Sequence, residues 1–195
     1  MNRRTILSLP LLQWLSPRGI CRARAGSCDS ELQGSYAERR LLNTAIPSEL
    51  LSHLAIWDER ARDFRKQRRG EQPGGAAAVI VLHLWADWCK PCVEEFPLLR
   101  ELETQFATAH RGRVQLICVA MIPSSDVMDA FMQAHRERMP AGPHFQDTAE
   151  QLDRLLRPRF AADKLTLPLT LLLDTSASRR VVRYAVAGSL RARSR

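Results

Sequence analysis

Ala76-Ala77-Ala78-Val79-Ile80-Val81-Leu82-His83-Leu84-Trp85-Ala86-Asp87-Trp88-Cys89-Lys90-Pro91-Cys92 is the most informative stretch of the chain. From Ala76 to Ala86 the apolar residues are consecutive and do not alternate. That pattern predicts a central strand covered by helices on both faces. Two cysteines then bracket Lys90-Pro91. Behind them Val93, Phe96, Leu99, Leu102 and Phe106 recur at helical spacing, predicting a helix to about His110 with a kink at Pro97, which lacks an amide donor. Cys89 thus falls at a helix N-terminus, where free amides and the positive dipole end favour thiolate over thiol, and Lys90 adds a cation. Cys92 lies on the same helix face and can attack a mixed disulfide at Cys89. Only a thiolate attacks, so a low pKa at Cys89 and a higher one at Cys92 is the useful arrangement.

Downstream, Val114 to Met121 predicts a second buried strand. Ser125-Asp126 caps a helix to about Arg138, and Pro140 to Pro143 breaks the chain. Thr148-Ala149-Glu150-Gln151 has the capping-box pattern and opens a short helix to about Arg157. Pro168 precedes a third strand, Leu169 to Leu173; a turn at Asp174 to Ser178 leads to a fourth, Val181 to Ala187, closed by Gly188. Strands alternating with helices imply parallel pairs, and the last two imply a hairpin, so the class is α/β with a mixed sheet. A cis Leu167-Pro168 bond would present backbone groups beside Cys89 for strand-like docking of a substrate peptide. Trp85 and Trp88 bracket the cysteines; Trp85 reads as core and Trp88 as an apolar platform for substrate.

Upstream, Ser48 to Arg69 predicts a helix, with Leu50, Leu51, Leu54, Trp57, Ala61 and Phe64 on one face and a break at 70–75. Residues 26–47 read as a polar tether. At the N-terminus Arg3-Arg4, the apolar stretch Thr5 to Leu15 and Ala23-Arg24-Ala25 form a signal peptide with cleavage after Ala25. The paired arginines fit twin-arginine export. Acylation at Cys28 is an alternative, but the apolar stretch ends too early for it. The expected organisation is therefore 1–25 signal peptide, 26–75 tether and helix, and 76–195 catalytic domain, exported to the periplasm. A membrane tether is not expected.

The formal charge of +8 is concentrated in the leader: removing Arg3, Arg4, Arg18, Arg22 and Arg24 leaves 24 basic residues against 21 acidic. That mild excess argues against a nucleic-acid partner. Of the five cysteines, Cys21 leaves with the leader, Cys28 is a spare thiol or tether, and Cys118 is a buried, inert thiol. A structural zinc site at Cys89 and Cys92 would need four ligands. No second C-x-x-C exists, and His135 and His144 follow no ligand spacing, so no metal or organic cofactor is implied.

Trp85-Ala86-Asp87-Trp88-Cys89-Lys90-Pro91-Cys92 resembles the active site of the thioredoxin superfamily. Glu94-Glu95-Phe96-Pro97 and Leu167-Pro168-Leu169-Thr170-Leu171-Leu172-Leu173-Asp174 resemble its exported TlpA/ResA-like branch, often membrane-tethered periplasmic thiol reductases. The resemblance covers roughly Ala76 to Gly188. It implies a three-layer thioredoxin-like fold with Cys89 attacking, Cys92 resolving and Pro168 as the cis-proline, beside Leu167 and Trp88 at the substrate. It also implies protein disulfides as substrates and a membrane electron donor. Glu95 corresponds to an acid thought to modulate thiol protonation in some cytochrome c maturation reductases; the alternative is a solvated helix residue. His83 stands where relatives often carry a carboxylate or amide, and is either a packed core histidine or a proton acceptor for Cys92. The family's lead-in hairpin is replaced by the Ser48–Arg69 helix. The loop before Pro168 lacks the Gly-rich signature of dedicated cytochrome c maturation members. The closing helix is absent or reduced to Ser189–Arg195, shortening the fold at its C-terminus. The function implied is protein-disulfide reduction; a peptide-binding or chaperone-like module and a disulfide-donating oxidase are the alternatives.

Overall fold

The Ala76–Ala86 run becomes β4, Val79–Trp85, at the centre of an eight-stranded mixed sheet. The computed structural model describes residues 36–75, 77–110, 112–160, 164–175 and 180–190. These lie in one compact unit, 34–193. In chain order they form α1 (Tyr36–Leu41), β1 (Ala45–Ile46), α2 (Ser48–Ser52), β2 (Ala55–Asp58), β3 (Asp63–Arg65), β4, α3 (Lys90–His110), β5 (Val114–Ala120), α4 (Ser125–His135), β6 (His144–Gln146), α5 (Gln151–Leu156) with a 3-10 turn at Arg157–Arg159, β7 (Leu169–Asp174) and β8 (Arg180–Ala187). The spatial order is β1-β8-β7-β4-β5-β6-β2-β3. β4, β5 and β6 run parallel, while β7 and β8 return antiparallel beside β4 as a hairpin.

Both faces of β4 are buried, as a continuous apolar run requires. Ile80, Leu82 and Leu84 pack in one cluster with Ile117, Val119, Leu169, Leu171 and Leu173, roofed by Leu41, Leu51, Leu152 and Leu156 from the helices. His83 and Trp85 point to the other face. There Trp85 meets Phe96 of α3 edge-on at 5.2 Å and Phe131 of α4 at 4.8 Å. Helices therefore cover the sheet on both sides, in three layers. No helix among the described residues is long and apolar enough to cross a membrane.

The helix expected over Ser48–Arg69 is not formed. Only Ser48–Ser52 is helical, and the chain then makes the hairpin β2–β3. Trp57 and Phe64, seven residues apart and so suited to one helix face, are instead cross-strand partners with ring centroids 5.1 Å apart. An aromatic pair of this kind stabilises a hairpin as readily as helical spacing would suggest a helix. Asp58 closes the turn by accepting from the Arg60 and Ala61 amides at 3.0 and 3.1 Å. The boundary expected at residue 75 is likewise not structural, because β1, β2 and β3 belong to the same sheet as β4. The capping box at Thr148 is replaced by Asp147, whose carboxylate accepts from the amides of Gln151, Leu152 and Asp153. The leader at 1–25, Cys28 and the end of the chain beyond Leu190 lie outside the described residues.

Gly74 is the glycine on which this packing depends most. Its φ is +87°, and a Cβ there would stand 2.3 Å from Cδ1 of the fully buried Ile80. Gly74→Ala is expected to lower stability by about 1–3 kcal/mol, from left-handed backbone plus core overlap. The measurement is a urea melt, which should show a lower midpoint at unchanged m-value.

Candidate active site

β4 delivers the chain into a tight loop that opens α3. The Cys89 amide donates to the Ala86 carbonyl at 3.1 Å, and the Cys92 amide to the Cys89 carbonyl at 3.0 Å. Cys89 and Cys92 are joined as a disulfide with an S–S distance of 1.97 Å and Cα atoms 5.3 Å apart. The Cys92 amide also lies 3.3 Å from Cys89 Sγ. In the reduced protein that amide would be a donor aimed at Cys89 Sγ, and the helix dipole acts in the same sense, an arrangement that favours a thiolate there. Both cysteines are buried, Cys89 at 3% exposure and Cys92 at 0%. Trp88, beside them, is 71% exposed, while Trp85 is fully buried.

The Leu167–Pro168 peptide is cis. Leu84 pairs with Leu169 across the β4–β7 ladder, so the next residues outward, Trp85 and Pro168, lie at the end of the strands that carries the cysteines. Pro168 is buried and Leu167 half-buried. The structure therefore brings Trp88, Cys89, Cys92 and the Leu167–Pro168 peptide to the same end of the two central strands β4 and β7.

His83 lies beneath that end, fully buried. Its Nδ1 is 3.0 Å from Thr170 Oγ1, and its Nε2 has no hydrogen-bond partner among the described residues. Burial holds its pKa down at about 3, so the ring is neutral near pH 7 and a weak proton acceptor. It belongs to a buried polar row crossing the sheet, in which His83 pairs with Thr170 on one side and Cys118 on the other, and Cys118 with His144. Burial also holds His144 down, at about 4, and pushes the Cys118 thiol up.

Glu95 is not a solvated helix residue: it is fully buried, one turn beyond Cys92, and its Oε1 accepts from the Leu190 amide. A buried carboxylate must be hydrogen-bonded to be tolerated, and its acceptor role explains its place. Thr170, Leu190 and Gly188 were not identified from the sequence as site residues. Gly188 reads there only as the end of a strand, and no spacing rule links Glu95 to an amide 95 residues away.

A scan against family models finds no match to the sequence, and a search of curated proteins finds none. Solved structures do match. DsbF of MTB is 16% identical with a TM-score of 0.52, covering 74% of this chain and 90% of that one. StoA from Bacillus subtilis is 18% identical with a TM-score of 0.47, over 77% and 92%. A thioredoxin-like protein in the oxidized form is 20% identical with a TM-score of 0.48, over 75% and 86%. At these identities the likeness speaks to fold, and the fold is the thioredoxin fold, with β4, α3, β5, α5, β7 and β8 in its order.

Proposed function

We propose that the chain is a thiol–disulfide oxidoreductase of the TlpA/ResA-like kind that reduces protein disulfides in the periplasm. The observation that carries the reading is the pairing of Cys89 and Cys92 as a disulfide at the start of α3, with the Cys92 amide on Cys89 Sγ. In the reduced enzyme the Cys89 thiolate attacks one sulfur of a substrate disulfide, and the other substrate sulfur leaves as a thiolate. Cys92, deprotonated, then attacks Cys89 Sγ, releasing the second substrate thiol and closing the Cys89–Cys92 disulfide. Two electrons have passed to the substrate, and a membrane dithiol donor returns them. Trp88 and the Leu167–Pro168 peptide dock the substrate chain in an extended form. His83, hydrogen-bonded through Nδ1 to Thr170 Oγ1, serves as a packed core histidine and not as the acceptor for the Cys92 proton; a folded His83→Ala variant is expected to resolve mixed disulfides at close to the wild-type rate. The leader read at 1–25 supplies the export this location needs.

The test is a redox titration of residues 26–195, followed by tryptophan fluorescence in defined thiol/disulfide buffers. Trp85 and Trp88 should report the cysteines directly. A two-electron midpoint near or below roughly −230 mV is expected, on the thioredoxin side of the scale. A midpoint near about −120 mV would make the protein a disulfide-donating oxidase. No transition at all, with extended peptides still bound, would make it a binding module.

A further inference from the structure

Two buried carboxylates converge on the short segment that follows β8. Glu95 of α3, fully buried, accepts from the Leu190 amide. Glu38 of α1, 3% exposed, accepts from the Ala187 amide at 2.9 Å. Between these two anchors Gly188, at φ +99°, donates its amide to the Pro168 carbonyl at 2.8 Å. The Leu190 side chain is itself buried, at 6% exposure. A continuous path of hydrogen bonds and three residues of backbone thus runs from the active-site helix, through Leu190 and Gly188, to the cis-proline loop.

We propose that Glu95 is a positioning residue: its carboxylate anchors Gly188–Leu190, and that segment holds the Leu167–Pro168 peptide in register with Cys89 for an extended substrate. The inference rests on the thiol–disulfide reading of the site. The buried amide of Leu190 needs an acceptor, and the Glu95 carboxyl oxygen supplies it. Glu95 sits on the same rigid helix as Cys92, so whatever it anchors is fixed relative to the reacting sulfurs. Docking by backbone hydrogen bonds fails when the docking peptide shifts by a fraction of a strand spacing, and small misplacements of this kind are costly in rate. An anchoring role needs only an acceptor oxygen at Glu95. A proton-transfer role needs an ionisable one.

Glutamine and methionine separate these roles. Glu95→Gln keeps the acceptor and removes ionisation; Glu95→Met keeps the volume and removes the acceptor. Full-length variants would be assayed with insulin, a protein disulfide, and with hydroxyethyl disulfide, too small to use the docking peptide. Glu95→Met is expected to raise KM for insulin about tenfold, the equivalent of one lost hydrogen bond. Its turnover of hydroxyethyl disulfide should stay within about twofold of wild type, as befits lost binding with intact chemistry. Glu95→Gln should recover most of the insulin KM and keep the wild-type pH profile of thiol reactivity. A displaced profile in Glu95→Gln would overturn the proposal in favour of proton transfer, and an unchanged insulin KM in Glu95→Met would overturn it outright. Wild type inactive on both disulfides would instead defeat the redox reading. Amide hydrogen exchange gives a readout that does not depend on the methionine variant folding. Leu190 and Gly188 should be protected in wild type and in Glu95→Gln, and fast exchange at Leu190 in wild type sinks the anchor.

Discussion

Cys92→Ser protein is expected to stall with its substrate attached, accumulating mixed disulfides on Cys89, while Cys89→Ser accumulates none. The asymmetry follows from geometry. The Cys89 residue keeps a trace of exposure, 3%, beside the exposed Trp88, while Cys92 is fully buried inside the first turn of α3, so an incoming disulfide is expected to reach Cys89 first. Cys92 can be reached only from within, by the sulfur it already contacts in the disulfide. Either substitution should reduce turnover by roughly a thousandfold or more, as removal of a nucleophile does. The measurement is non-reducing electrophoresis after incubation with an oxidised protein substrate, alongside the turnover rate. Mixed disulfides that form equally well with Cys89→Ser would place the attacking thiol at Cys92 and reverse the mechanism. Turnover that survives both substitutions would remove the thiols from the function.

A second large effect is expected on stability in mild acid. His83 and His144 are held by burial at about 3 and about 4, against 6.5 for a free imidazole. Below pH 6.5 the unfolded chain therefore takes up two protons that the folded chain refuses. Unfolding becomes easier as pH falls, and the stability present above pH 6.5 is progressively lost. Near pH 5 the slope should approach that of two protons, about 2–3 kcal/mol per pH unit, and the loss between pH 7 and pH 5 should be a few kcal/mol, roughly 3. That is a large share of the roughly 5–15 kcal/mol that stabilises an ordinary domain. The window is set by the histidines: Glu71, held at about 2 by the Arg65 guanidinium, loses its contribution only below its unfolded value of 4.5. Urea melts at pH 7, 6 and 5 measure the slope. His83→Gln and His144→Gln should each remove about half of it. A wild-type stability that is flat from pH 7 to pH 5 would mean that water or a local opening solvates these rings.

Much of this architecture was legible before any coordinates. The strand, the C-x-x-C at a helix start, the four long central elements and the proline before β7 follow from local pattern. Each is set by period, by a missing amide donor, or by residues adjacent in sequence. The Leu167–Pro168 peptide is cis as expected, and Trp85 and Trp88 divide into buried and exposed as expected. The failures are equally physical. Trp57 and Phe64 satisfy the helical period and the cross-strand pairing alike, and only the neighbouring β6 edge, with which Ile56 pairs through Phe145, selects the strand. β6 itself has three residues, too few to display a period.

The site divides along the same line. Local sequence by itself determined the reactive groups and their spacing: two cysteines three residues apart, one at a helix N-terminus, with a tryptophan before them. Only the tertiary structure decided which side chains surround that chemistry, because those contacts join residues far apart in the chain. Sheet register sets His83 between Thr170 and Cys118, and helix–strand packing buries Glu95 against the Leu190 amide. Hydrophobic patterning tells a segment which face to bury. It does not say which distant hydrogen-bonding group will be waiting there, and that pairing arises only when the layers close.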